Sequence, residues 1–568
     1  MASAKEWTVA RATPLSKSRS GVSALVEIAA VSLLLLVVTS LPYLYGYFSA
    51  PADRWFSGII FNVHDTAQYL SWMRESGDRF FIDNRLTSEA NTAVFVNLHW
   101  WIPGRVAAWL GLSLDQVYQL FRILSVPVYV GSVYWLCGLF FNDPRRQRFA
   151  FWLATLASGL GWIWVIDKYL NRLPDLRWPH DVYTTPGNSL WVMLASPHLT
   201  LALALTGLVL GLAWYAHHRR QFILSLAAAG VALFLGLGHI YDLVTVWAVL
   251  GMYGALLTLR DGFRWRNLLS LGVVVVVSAP AALYFGWVSS SANPLWKQAL
   301  SQYDNLGAFL PSPLHLLILV GIPFFLALGG FGQGLKVNFW RTASNRDLFL
   351  KAWFVANLIA MHIPSRFQVM LLTGFQFVLA ILATDFIFER VIPWVGTLNI
   401  KTLNVERVRQ WLPALILLAV LPANLYLLVW RFVDLGRYEY PYYLRRDDVA
   451  AMRWLEANAS RDEVVLSAFT TGHYLPGMTG MRPFLSNAVM TIDFNHKESL
   501  VKRFFAVETI DAERCDFLTD YKINYLLYGD AEQAEGPYDP AGSNLFQRVF
   551  AGEQTEVYKV NAACHLLP

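Results

Sequence analysis

The stretch Phe61-Asn62-Val63-His64-Asp65-Thr66-Ala67-Gln68-Tyr69-Leu70 follows soon after the first long apolar run, Ile28 to Tyr47. That run has the length one membrane crossing needs, about 20 apolar residues. Lys5, Arg11, Lys17 and Arg19 precede it, so it reads as an uncleaved signal anchor, with residues 1–25 as a cytoplasmic tail. The Phe61–Leu70 tract then lies just beyond the membrane. An acidic side chain there, Asp65, is a candidate for chemistry at the membrane surface.

The rest of the chain is apolar in the same way. Of its 568 residues, 55% are hydrophobic and 15% charged, against roughly 25% charged in soluble domains. With repeated long apolar runs this implies an α-helical polytopic membrane protein. Abundant aromatic residues suit interface belts and apolar packing. The net charge of +5 is spread without a basic block, which leaves a nucleic-acid partner no footing. The three cysteines form no C-x-x-C pair; Cys137 falls in an apolar run, and Cys515 and Cys564 fall in the tail, where spacing alone does not decide for a bridge.

Counting apolar runs gives about eleven crossings, near 26–47, 116–141, 149–166, 196–216, 221–238, 242–259, 268–289, 312–331, 348–362, 367–388 and 411–432. The segments this places inside, 1–23, 142–148, 217–220, 260–267, 332–351 and 389–410, are each net positive. The first outer loop, 48–115, carries five Arg and no Lys against seven carboxylates. This is the positive-inside pattern, and an odd number of crossings puts the C-terminal region outside. Residues 92–111 are apolar but interrupted by Asn97, His99 and Arg105, and read as a helix in the outer interface. The transmembrane domain is expected over 26–440. Beyond Arg445-Arg446-Asp447-Asp448 the apolar runs shorten, and 441–568 reads as an extracytoplasmic α/β domain. Its expected elements are a capped helix after Asp447, strands at Glu463–Ser467, Ile523–Tyr528 and Thr555–Val560, and a helix from His496 to Val507.

Ionisable residues at membrane edges are costly and therefore candidates for function. On this topology Asp65, Arg122, His198, His239, Asp242 and Arg366 gather at the outer ends of spans. Asp65 suits a general base, and equally the N-cap of a helix 66–75 with Gln68 completing a capping box. Arg366, in the tight turn His362-Ile363-Pro364-Ser365-Arg366-Phe367, suits a bidentate grip on phosphate, or a snorkelling arginine at a helix end. Arg122 has the same two readings. His198 follows Ser196-Pro197 at the mouth of its span. His239 and Asp242, in the turn Gly238-His239-Ile240-Tyr241-Asp242, suit sugar or acceptor hydroxyls, or are an interfacial ring and a helix cap. A divalent metal has no local ligand spacing to support it. Asp167, Asp175, His180, Asp181, Lys297 and Asp304, in later outer loops, shape an acceptor site or are solvated.

This layout resembles the GT-C superfamily, membrane glycosyltransferases that use polyprenyl-phosphate sugars. The likeness rests on the acidic residue soon after span one, the interfacial helix in that loop, about eleven spans, and the outer tail with Trp454-Leu455-Glu456-Ala457-Asn458, Val464-Val465-Leu466-Ser467, Asn524-Tyr525-Leu526-Leu527-Tyr528-Gly529-Asp530 and Val557-Tyr558-Lys559-Val560. The resemblance implies inverting transfer of a sugar from a polyprenyl-phosphate donor to a hydroxyl of a glycan, lipid or protein, outside the plasma membrane. Asp65 maps onto the catalytic acid of the first loop and Arg366 onto the phosphate-gripping residue, with Arg122 as its helper. His64, His198, His239, Tyr241 and Asp242 would line the sugar or acceptor site. Relatives with protein-mannosyl or aminoarabinose specificity carry two adjacent acids; here Asp65 stands between His64 and Thr66, and the single acid implies the metal-free, lipid-monophosphate case with no cofactor. Two other readings stay open: a lipid or polysaccharide transporter or flippase with the same charges along a path, and a non-catalytic subunit of cell-envelope glycan assembly.

Overall fold

The computed structural model describes residues 21–174, 176, 187–302, 309–398 and 404–561. Each of the eleven apolar stretches is mainly helical. Among the described residues, seven helices are long and apolar enough to cross a membrane. They are α1 (Gly21–Ser49) and, after the shorter α2 (Val63–Ser76) and α3 (Leu98–Leu110), α4 (Leu114–Phe140). After α5 (Pro144–Leu156) and α6 (Trp162–Leu170) comes α7 (Pro197–Arg219), and after α8 (Phe222–Gly236) come α9 (Tyr241–Asp261) and α10 (Trp265–Val288). Beyond α11 (Pro294–Gln302) lie α12 (Pro313–Gly332), α13 (Asn345–Ala360) and the seventh, a helical run from Gln368 to Thr397. The pair α14 (Val405–Ala419) and α15 (Pro422–Leu435), bent by 42°, makes an eighth.

The remaining three stretches fall short of the length that one crossing needs. Helix α8 has 15 residues and α13 has 16. The run expected at 149–166 breaks between α5 and α6, and the break has a partner. Leu160 N donates to Ile318 O of α12 at 2.7 Å. Helix α12 itself kinks at Gly321, whose φ of 60° departs from the helix. A Cβ on Gly321 would lie 2.8 Å from Ser158 O, so only glycine lets the two broken helices cross here. Backbone groups freed by breaks are thus satisfied by a neighbouring helix, as a low-dielectric surrounding requires.

Between α1 and α4 the chain forms a layer over one end of the bundle. Strand β1 (Arg54–Phe56) pairs antiparallel with β2 (Tyr443–Arg445), tying the first loop to the chain that follows the last bundle helix. Helix α3 has 13 residues, which at 1.5 Å each reach about 20 Å, short of a ~30 Å hydrocarbon core. It packs closely on α2: a Cβ on Gly104 would lie 2.3 Å from Met73 O.

Residues 464–560 hold a five-stranded sheet, β3 (Val464–Leu466), β4 (Arg482–Pro483), β5 (Ile523–Tyr528), β6 (Phe546–Ala551) and β7 (Glu556–Val560), in the order β4-β3-β5-β7-β6. The first three are parallel and the last three antiparallel. Buried Val464, Leu466, Leu526 and Tyr558 lie in a core shared with Phe504 of α17 (Phe494–Phe505), which follows α16 (Arg446–Asn458). Asp447 and Asp448, expected to cap α16, sit within its first turn. Their carboxylates accept from Gln554 N and Thr555 N, both at 2.6 Å, and from Thr555 Oγ1 at 2.6 Å. They hold the β6–β7 turn rather than their own helix.

Candidate active site

Helix α2 begins because Asn62 takes the left-handed conformation, φ 47° and ψ 59°, which asparagine tolerates better than most residues. The chain is thus turned sharply out of the extended segment 57–61. That segment is held from behind: Ser57 N donates to Tyr442 O at 2.9 Å, and buried Arg431 donates to Ile60 O at 2.8 Å. Asp65 is therefore the third residue of the helix and not its N-cap. Its Oδ2 accepts from Asn62 Nδ2 at 2.5 Å, and a carboxylate in a first turn is favoured by the helix dipole. Asp65 is half-buried. Burial pushes its carboxyl above the usual carboxylate range, and the Asn62 bond opposes this in part.

Asp65 opens onto a cavity of about 660 Å³, a size usual for small-ligand sites. One wall is aromatic. Tyr69, one turn after Asp65, stacks on Trp100 of α3 at 4.4 Å and meets the His198 ring at 4.6 Å. His198, at the start of α7, lies 5.0 Å from Trp100 and 6.3 Å from His239. His239 Nδ1 stands 3.0 Å from Asp242 Oδ2; with a proton on Nδ1, the other ring nitrogen, Nε2, is left as an acceptor. Tyr241 and Phe367 meet at 4.2 Å with their rings tilted by 36°, and next to Phe367 exposed Arg366 reaches the cavity wall. Lys297 of α11 lines it too, as do Val489 and Met490 from beyond β4. The cavity therefore combines one carboxylate able to take a proton, two cations able to offset negative charge, and apolar ring faces.

The sequence matches no protein-family model and no curated protein. Solved structures do match. ArnT from Cupriavidus metallidurans, bound to undecaprenyl phosphate, is similar with a TM-score of 0.52 at 14% identity, over 96% of this chain and 99% of that one. The oligosaccharyltransferase AglB from Archaeoglobus fulgidus, in complex with an inhibitory peptide and a dolichol-phosphate, gives 0.52 at 13% identity, over 93% of this chain and 74% of that one. The protein has the GT-C fold. It is a multi-pass membrane protein of that fold, with a sheet-containing C-terminal region.

The cavity gathers six of the residues singled out from the sequence: Asp65, His198, His239, Tyr241, Lys297 and Arg366. Three others are elsewhere. Arg122 lies 2% exposed inside the bundle, donating to Gln119 Oε1, Thr39 Oγ1 and Ser40 Oγ and stacked 4.4 Å over Tyr43. It is held between α1 and α4 and does not line the cavity, so it is not a phosphate ligand in this arrangement. Asp242 is fully buried behind His239 and does not line the cavity. His64 points the other way from Asp65: its Nδ1 lies 2.5 Å from His473 Nε2. Asp167 accepts from Asn171 at 2.6 Å, away from the cavity. Asp175, His180, Asp181, Asp304 and Cys564 lie outside the described residues. Among the described residues, no group of three or more His, Cys, Asp or Glu side chains could hold a metal ion.

Sequence reasoning left Tyr69, Trp100, Val489 and Met490 unassigned. Tyr69 was within reach, since i and i+4 share a helix face. Nothing in the sequence signals that residues 489–490, some 400 positions later, return to the same cavity.

Proposed function

We propose that this protein is an inverting glycosyltransferase that moves a sugar from a polyprenyl-phosphate donor to a hydroxyl acceptor on the extracytoplasmic side of the cell membrane. Asp65 takes the proton from the acceptor hydroxyl as its oxygen forms a bond to the anomeric carbon. The bond from that carbon to the lipid phosphate oxygen breaks, and its electron pair leaves with the phosphate. Arg366, with Lys297 on the same cavity wall, offsets the charge gained by the departing phosphate. His198, His239 and Tyr241 offer hydrogen-bonding groups to sugar or acceptor hydroxyls, and the Tyr69–Trp100 faces suit the apolar side of a sugar ring or the first isoprene units.

The observation that carries this reading is the single cavity shared by the raised-pKa carboxylate of Asp65 and the cations Arg366 and Lys297. The fold supports it: ArnT and AglB have this fold and were solved with undecaprenyl phosphate and dolichol-phosphate. Mass spectrometry of lipids that co-purify with the protein tests it. Wild type should carry polyprenyl phosphate, bare or sugar-bearing, and Arg366→Ala should lose it. Only bulk phospholipid on wild type, in repeated preparations, would count against the donor site.

A further inference from the structure

The first turn of α2 is held from two sides by residues of the C-terminal region, and neither contact belongs to the reaction itself. Asn487 is 1% exposed. Its Nδ2 donates to His64 O at 2.9 Å, on the backbone carbonyl next to Asp65. Its Oδ1 accepts from Val489 N at 2.8 Å and Met490 N at 3.0 Å, which shapes the turn whose side chains close the cavity. One buried amide thus joins the turn carrying Asp65 to the segment facing it. All its strong partners are backbone groups, so the geometry is fixed by the chain and not by side-chain rotamers.

The second contact is the histidine pair. His473 is fully buried, and its Nδ1 stands 3.0 Å from Phe469 O. A carbonyl can only accept, so Nδ1 carries the proton and Nε2 is bare. The His64 Nδ1 at 2.5 Å must then be the donor. The His64 ring is fixed in one tautomer, and stacks at 5.5 Å on Phe469. His64 is exposed on its other side.

We propose that Asn487 and His473 are positioning residues: from the C-terminal region they clamp His64, and through it set the place and burial of the Asp65 carboxylate. This rests on the reading of Asp65 as the base, but the clamp is a property of the resting protein. It gives the C-terminal region a part in the site beyond covering it. An acceptor that displaced residues 489–490 would pull on the same amide that holds the base.

The test uses the purified full-length chain. Hydrogen exchange reports the amides of Thr66 to Tyr69, and labelling by a water-soluble carbodiimide across pH reports the pH at which Asp65 is half protonated. His64→Ala, a change at an exposed residue, and Asn487→Ala should each raise exchange at these amides at least about tenfold. Each should also move half-labelling of Asp65 down towards the ordinary carboxylate range near 4. His473→Gln, which restores an acceptor for the His64 proton, should stay close to wild type, whereas His473→Leu should follow His64→Ala. The proposal is overturned if both His64→Ala and His473→Leu leave exchange and the Asp65 labelling profile at wild-type values. If Asn487→Ala fails to fold, the His64 and His473 variants decide alone. Neither readout involves turnover. Wild-type transfer by Asp65→Asn would remove the base assignment and leave the clamp measurable; an inactive Asp65→Asn with an unaltered profile in the clamp variants would remove the clamp alone.

Discussion

Asp65 is placed by its neighbour three residues back. Asn62 both turns the chain into α2 and hydrogen-bonds the carboxylate, so the residue is fixed before any substrate arrives. Its raised pKa makes it a stronger base than a solvated carboxylate. In the proposed reaction Asp65 acts ionised, so activity should fall as pH drops through that raised value, and the acid limb of a kcat/KM profile should lie above the usual carboxylate range near 4. The same shift has an opposite sign for stability. A carboxyl bound more tightly to its proton in the folded state favours folding fully below its unfolded value and loses that contribution as pH rises through the folded value. Asp65→Asn should therefore melt higher than wild type at neutral pH, with the difference vanishing below about pH 4; equal melting temperatures at neutral pH would argue that the carboxylate is solvated. The sequence pointed to Asp65 and Arg366, which share the cavity wall, because a carboxylate and a guanidinium beside apolar runs are costly. It misled at Arg122 for the same reason. Cost marks a residue as needing a partner, and whether that partner is a ligand or Thr39, Ser40 and Gln119 depends on helix rotation, which periodicity over an all-apolar span does not set.

At the scale of elements, the contact of α2 with α3 governs where the cavity walls stand. Gly104 lets the two helices meet with Tyr69 stacked on Trp100. Gly104→Leu should force them apart, at a cost of about 1–3 kcal/mol from overpacking, and should lower the melting temperature together with polyprenyl-phosphate retention. A variant that melts and binds as wild type would show that the approach is not needed. Apolar length located each bundle helix, short buried apolar runs located β3 and β5, and the alternation of apolar residues located β7. The break between α5 and α6 and the kink at Gly321 were not legible, because each is explained by the other and no local pattern records a crossing of two distant turns. The two-residue β4 and the half-exposed β6 were missed because short or solvated strands carry little periodicity.

For the whole molecule, the first loop and the C-terminal region behave as one folded layer. Buried Asp83 lies 3.1 Å from Arg85 Nε and also pairs with Arg482. Arg85 donates in turn to Arg461 O at 2.7 Å and Asp462 Oδ1 at 2.9 Å, and Lys497 pairs with Glu89 at 2.7 Å. The contacts between the loop and the C-terminal region join residues 376 to 408 positions apart, so no reading of local sequence could assign them. Asp83→Ala takes the paired carboxylate from buried Arg482, while Arg85 keeps Asp462 and Glu75, and removing one partner of a buried pair costs about 3–5 kcal/mol. Limited proteolysis should then cut the loop around residues 78–92 much faster than in wild type; unchanged cleavage would mean that the layer is held by β1–β2 and apolar contacts alone. The joint explains how a sheet placed after the last bundle helix reaches the cavity at Val489 and Met490.

The central claim is that one carboxylate, Asp65, drives transfer in a cavity whose cations hold the donor phosphate. The direct measurement is single-turnover transfer by wild type and Asp65→Asn, each purified with its sugar-bearing lipid, scored by mass spectrometry as release of bare polyprenyl phosphate on adding acceptor. The prediction is that Asp65→Asn keeps the lipid, since Arg366 and Lys297 are untouched, and releases the bare carrier about 10²–10⁴-fold more slowly. Release at the wild-type rate from a lipid-loaded Asp65→Asn protein would contradict the account.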